Sequence, residues 1–391
     1  MVAKRRWKMD NERMTSYERL EQFLLENYQF RCNIINGIIE FRHSELEQWE
    51  ELNEFNVLRQ LKLQSVKASM NDLINILKSD FVPSFNAFLD YFKMQLIGFD
   101  HDFDYIDQLA SYVKTTANRR FRRHLKKWLV RTVKCALEDD YVNKNALILV
   151  QEKQNGGKTT FCRFLIPSLL KSYSAENISF DKDSMIALCE NYIINLDELA
   201  SFNKLEINML KAILSKAFVK ERHPFERKAK KIPRRASFIG STNRTEFLTD
   251  ETGNVRWIPF EVLDIDFAYS KEINIDFVWK QAYNLYLSGY PCDLTADEIK
   301  ENELANQSFT VITKEMELIM NLYEVGTKED HDLFRSTTEI EIGIRETNNV
   351  GITISTQQLG KALKVLGFTK DNRYSEEKGY PIKAYYLKFR R

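Results

Sequence analysis

Residues 146–160, ALILVQEKQNGGKTT, set an apolar run against a polar, glycine-containing loop that closes on Gly157-Lys158-Thr159-Thr160. The chemistry suited to this arrangement is the holding of phosphates. An apolar strand delivers the loop, the backbone N–H groups of Gln154, Asn155, Gly156, Gly157, Lys158, Thr159 and Thr160 face the anion, and the next helix starts there. Lys158 supplies a point charge and Thr159 offers a hydroxyl to Mg²⁺, so the segment reads as a nucleoside triphosphate site. The common spacing of such loops puts their first glycine at position 152, where this chain has Glu152. A lysine-rich turn between a strand and a helix is the plain alternative, and the segments that follow weigh against it.

The second such segment, Tyr192–Leu199 (YIINLDEL), is an apolar strand ending in paired carboxylates. A magnesium nucleotide site needs a carboxylate for the metal and another to orient and deprotonate water, which assigns Asp197 to Mg²⁺ and Glu198 to the water. The third, Ser237–Asn243 (SFIGSTN), ends in hydroxyls and an amide. Asn243 there can hold the attacking water or a terminal phosphate without adding negative charge. The fourth, Thr249–Phe260 (TDETGNVRWIPF), places Arg256 after a turn and before a new strand, suited to reach a phosphate on a neighbouring subunit, and Arg244 competes for that role. Between the second and third lies AFVKERHPFERKAKKIPRRAS, with Lys220, Arg222, Arg227, Lys228, Lys230, Lys231, Arg234 and Arg235 against two acids. Pro224 and Pro233 disfavour a continuous helix, so an exposed hairpin whose cations contact a nucleic-acid backbone is expected, with a solvated loop as the alternative.

Elements that would position these groups can be read from texture. Residues 17–138 carry two glycines and one proline, with apolar residues recurring at three and four, and predict a helical region. Within it, residues 114–134 hold nine lysines and arginines and no acids; Phe121, Leu125, Trp128 and Val133 share one helical face, leaving a basic opposite face. From residue 141 short apolar runs, Ala146–Val150, Tyr192–Leu196, Ala236–Ser241 and Trp257–Val262, alternate with helical stretches, which predicts an α/β layer with a central sheet. After about residue 305 a helix starting at Ser355 and ending at Gly367, then two strand-like runs flanking EEKGYP, predict a winged-helix-like module with Lys361, Lys364, Arg373, Lys378 and Lys383 on its helix or wing. The expected domains are thus 1–140, helical; 141–305, the α/β phosphate-site domain; and 306–391, winged-helix-like.

Composition removes other classes. Fifty-seven basic and 56 acidic residues nearly cancel, so any nucleic-acid contact must come from local clusters. The five cysteines, Cys32, Cys135, Cys162, Cys189 and Cys292, have no C-x-x-C spacing and read as thiols of a reducing cytosol, with no structural zinc expected. No apolar run approaches a membrane span, so a cytoplasmic protein without membrane contact is expected.

The order QEKQNGGKTTF, IINLDEL and RRASFIGSTNRTEFLTDETGNVRWIPFEV resembles the virulence-associated E family, related to superfamily 3 helicases of phages and mobile elements. The resemblance is strong over residues 140–265. It implies an AAA+-like P-loop core, ATP and Mg²⁺ as ligands of Lys158 and Thr159, an acidic pair at Asp197 and Glu198, a sensor at Asn243 and a trans-acting arginine at Arg256. Where the family has two arginines, this chain reads Val255-Arg256. It further implies a homo-oligomeric ring, expected as a hexamer, acting on single-stranded and forked DNA in a bacterial host cell, with any primase or replication initiator on another chain. The expected function is an ATP-dependent DNA helicase of a phage or mobile element. The alternative is an ATP-switched DNA-binding protein, an origin-recognition or defence module that does not unwind.

Overall fold

The computed structural model describes residues 14–43, 48–179, 181–221, 230–248, 254–348, 354–375 and 379–390. Its centre is a six-stranded sheet built from β1 (Val113–Thr115), β2 (Ala146–Val150), β3 (Ser174–Glu176), β4 (Ile193–Leu196), β5 (Ser237–Thr242) and β6 (Trp257–Ile265), in the spatial order β1-β6-β2-β5-β4-β3. All neighbours run parallel except the edge pair β1–β6. The expected alternation of short apolar runs and helices thus folds as an α/β layer.

Side chains alternate between two cores across this sheet, as the period of two requires. Leu147, Leu149, Ile193, Ile239 and Phe260 enter one core beside Trp128, Phe161 and Trp279. Ala146, Ile148, Val150, Ile194, Leu196 and Phe238 enter the other with Leu210 and Leu214. Burial on both faces is why these strands read as unbroken apolar runs. The flanking helices are α1 (Asn118–Leu137), α2 (Lys158–Phe164), α3 (Lys204–Leu214) and α4 (Ile275–Leu287), with α1 and α4 on the first face. Trp128 of α1 is fully buried and donates from its indole N–H to the Phe238 carbonyl of β5 at 2.9 Å, fixing helix to sheet. The same core takes in Phe88, Phe92, Ile106 and Leu109, so it runs across residue 140.

The N-terminal part differs from the expected helical region. A four-stranded sheet, Glu50–Glu51, Ile39–His43, Tyr28–Asn33 and Ser84–Phe85 in that spatial order, packs with helices Ser16–Asn27, Glu54–Leu63 and Met70–Leu77 around Leu24, Phe30, Leu61 and Leu73. Tyr28 and Phe30 are buried while Gln29 between them is exposed, a period of two within an aromatic-rich run that favours strand over helix.

Beyond residue 313 a third core forms around Met316, Ile319, Ile340, Leu359 and Leu363. Its elements run helix Lys314–Leu322, strands Tyr323–Val325 and Leu333–Ser336, helices Thr337–Asn348 and Thr356–Val365, then the antiparallel pair Lys370–Ser375 and Tyr380–Phe389. Ser355 caps the last helix by accepting from the Gln358 N–H, as its hydroxyl predicts. Arg373 is tied inward, to the Phe334 carbonyl at 2.8 Å and to Glu339 at 2.6 Å, and Lys378 lies outside the described residues. Among the described residues no helix is long and apolar enough to cross a membrane.

Candidate functional site

Strands β2, β5 and β4 are adjacent and parallel, so their C-terminal ends open on one side of the sheet, where ligands of open α/β sheets characteristically bind. A cleft of about 370 Å³ lies there. It is lined by Gln154, Asn155, Gly156, Gly157, Lys158, Thr159 and Thr160 after β2, by Asp197 and Glu198 after β4, and by Ser241, Thr242 and Asn243 at the end of β5. Three segments separated by some forty residues each in sequence therefore converge because the sheet order sets β5 between β2 and β4.

The polar groups form one network. The Thr159 hydroxyl donates to Asp197 Oδ1 at 2.8 Å and lies 3.1 Å from Ser241 Oγ, which itself donates to Asp197 Oδ1 at 2.9 Å. Asn243 Nδ2 donates to Glu198 Oε1 at 3.1 Å. A carboxylate with two hydroxyls is an oxygen-only donor set, suited to a hard cation such as Mg²⁺ and poorly suited to zinc. Ser241 belongs to this network although the sequence reading gave it no role. Its signal was its place at the end of the apolar run that leads to Asn243.

Lys158 is buried, its Nζ donating to the Gln151 carbonyl at 3.0 Å and the Lys153 carbonyl at 3.2 Å, so the ammonium is held inside the curl of its own loop. Burial draws its pKa below the ordinary lysine value, opposed by the Asp197 and Glu198 carboxylates. Two glycines shape the curl. A Cβ on Gly156 would overlap Gln151 Oε1, and Gly157 has φ +84°, a conformation that other residues adopt only with strain. Asn155 and Glu198 also take left-handed φ, 58° and 51°, at the two turns that aim the loop and the acidic pair. Glu152 stays exposed at the loop's start, its carboxylate 3.4 Å from the Thr245 hydroxyl.

Arg256 stands elsewhere. It precedes β6, whose Trp257 pairs with Ala146 at the start of β2, so it sits a full strand length from the loop that follows Val150. Its Nε donates to Ser215 Oγ at 2.7 Å. Arg244 is exposed at the cleft's own edge, just past Asn243.

The basic segment divides. Phe218–Glu221 and Lys230–Pro233 pair as an antiparallel hairpin, with Lys220 and Lys231 exposed and in register. Lys231 Nζ lies 3.4 Å from the Phe218 ring centre. Arg222, Arg227 and Lys228 lie outside the described residues, and of Lys230 only the strand backbone is described. Arg234 and Arg235 correct the sequence reading. Arg234 is fully buried and donates to the carbonyls of Ala236, Ile213, Leu214 and Asn143, while buried Arg235 pairs with Asp139. They close the base of the hairpin onto the sheet, because a buried guanidinium with several donors can satisfy carbonyls at the end of α3 and ahead of β2 and β5 together.

Helix α1 is a second correction. Its expected basic face is not free. Arg122 pairs with Asp107 at 2.6 Å, Lys126 with Asp104 at 2.6 Å, Lys127 with Glu298 at 2.7 Å, and Arg123 with Glu298 and Glu301. Buried Arg120 donates to the Pro259 carbonyl and to Asn302, and buried Arg131 to the Cys292 carbonyl. Two of these four acids, Glu298 and Glu301, lie more than 170 residues along the chain, beyond the reach of a local count.

A mixed α/β protein whose cleft opens at the C-terminal ends of parallel strands, lined by a lysine, hydroxyls, carboxylates and an amide, is the class that fold and site define. Residues 98–311, more than half of the chain, match the virulence-associated protein E-like domain, and the chain belongs to this family. No curated protein matches it. Among solved structures, the apo structure of the NrS-1 C-terminal region is similar at 13% identity and a TM-score of 0.53, covering 96% of this chain and 100% of that one. The A form of the apo structure of that region gives 12% identity and a TM-score of 0.50, covering 94% and 98%. At such identities the likeness is one of fold.

Proposed function

We propose that the chain is an ATP-dependent, ring-forming DNA helicase with an AAA+-like P-loop core and a winged-helix-like C-terminal module, acting in replication of a phage or mobile element. The observation that carries this reading is the meeting of Lys158, Thr159, Asp197, Glu198, Ser241 and Asn243 around one cleft. Family membership and the fold likeness support it.

In this reading the loop from Gln154 to Thr160 cradles the phosphates, and Lys158 exchanges its two carbonyl partners for phosphate oxygens, a short swing for a flexible side chain. Thr159 and Asp197, with Ser241 beside them, would hold Mg²⁺, which when bound neutralises phosphate charge. Glu198 takes the proton from the attacking water, and Asn243, bonded to it, fixes the carboxylate's direction. Arg256 cannot serve its own cleft, so its part is across a subunit boundary, where it offsets charge on a neighbour's terminal phosphate. Lys220 and Lys231 of the hairpin, with the basic residues between them, track single-stranded DNA in the ring's channel.

The test is the ATPase rate of the full chain with and without single-stranded DNA, beside Lys158→Ala and Arg256→Ala. The expected result is stimulation by DNA, a loss of at least about a hundredfold in Lys158→Ala, and partial recovery when the two variants are mixed. A DNA-independent rate or an active Lys158→Ala would overturn the motor. Hydrolysis without strand separation on forked DNA would favour the ATP-switched binding protein.

A further inference from the structure

The strand order gives the cleft a direction. Asp197 and Asn243 directly follow β4 and β5, to one side of β2, and would face the reacting end of a triphosphate. The nucleoside end must then point to the other side of β2, where β6 ends at Ile265. Two residues on stands Phe267, with 52% of its surface exposed. Its ring lies against the phosphate loop itself, since a Cβ built on Gly157 would fall 2.6 Å from Phe267 Cζ and 2.9 Å from Cε1.

The ring is also braced. It is near-parallel to Tyr269, centroids 6.4 Å apart at 26°, and buried Tyr269 packs edge-on against Phe161 and Phe164 of α2, at 5.3 Å and 4.8 Å. An aromatic packed against the loop that lines a polar cleft, half in water, is otherwise unfavourable surface, and a planar base laid on it would remove that surface from solvent.

We propose that Phe267 is the stacking platform for the base of the bound nucleotide, a role that rests on the phosphate-site reading above. Gly157 is then glycine for two reasons, its positive φ and the space its missing Cβ leaves for the ring. Because every base has a π-face, the platform orders nucleotides by stacking strength and contributes no hydrogen-bond readout of the base edge.

The experiment measures equilibrium binding of ATP and of inorganic tripolyphosphate to the full chain and to Phe267→Ala, Phe267→Trp and Lys158→Ala. Phe267→Ala is expected to weaken ATP about tenfold while leaving tripolyphosphate unchanged. Phe267→Trp should retain ATP affinity, with its fluorescence quenched by ATP and not by tripolyphosphate. Equal weakening of both ligands in Phe267→Ala, or of neither, would overturn the proposal, the first assigning the ring to loop support alone. Lys158→Ala separates the two levels. If it weakens both ligands the phosphate site stands whatever Phe267 does, and if it weakens neither, that site and this proposal fall together.

Discussion

Helix α1 carries eight lysines and arginines in twenty residues, and the strand-end cleft is lined by one lysine. In α1 six of the eight cations are answered by a carboxylate or carbonyl from elsewhere in the chain, with Glu298, Glu301 and Asn302 of helix Ala296–Gln307 prominent among them. In the cleft, Lys158 has only the carbonyls of its own loop, which a phosphate can replace. Density of charge therefore marks the fastening of segments, whereas the cation proposed to meet phosphate is one whose partners are exchangeable. The partner is what distinguishes them, since a carboxylate holds a cation by charge whereas a neutral carbonyl gives way to an anion.

Arg234 gives the largest test of that contrast. Replacing it by alanine removes hydrogen bonds to four buried carbonyls, so Arg234→Ala should lower stability by about 3 kcal/mol or more in urea unfolding. Unchanged stability with lost DNA binding would break the comparison and return Arg234 to the DNA surface.

His124 tests the α1 interior more gently. Burial, with Arg120, Arg123 and Arg131 nearby and only Glu298 opposing, lowers its pKa from 6.5 to about 3, and neither ring nitrogen has a protein hydrogen-bond partner. Between those values the unfolded chain binds the proton and the folded one does not, so this contribution is whole above pH 6.5 and is lost as pH falls toward 3. Thermal melts from pH 7.5 to 5 should show a downward slope that His124→Leu flattens; an identical slope in the variant would mean His124 is already charged when folded.

The smallest effect belongs to the hairpin. Lys220→Ala and Lys231→Ala should each reduce the salt slope of single-stranded DNA binding by about 1 and leave the DNA-free ATPase rate unchanged. No change in slope would class the hairpin as a solvated loop and leave DNA contact to another surface.

Much of the cleft was readable before folding because its parts are local. QNGGKTT needs only its own glycines to curl, and DEL and STN need only a preceding apolar strand, whose two-sided burial makes it conspicuous. The N-terminal sheet was missed because its alternation spans a few residues in a segment otherwise rich in helix formers, where tertiary pairing outweighs propensity. Ser241 and Phe267 were missed for another reason: each meets the site through a neighbour supplied by the tertiary fold, Asp197 for the one and Gly157 for the other.

The sequence by itself determined the site's chemical inventory and the alternation of strand and helix around it, because glycine placement and apolar period act over a few residues. Only the tertiary structure decided which cations are free. Whether Arg234 or Lys127 meets water or a partner depends on chain segments up to 171 residues away, and the energy of a charge is set by what surrounds it rather than by what flanks it in sequence.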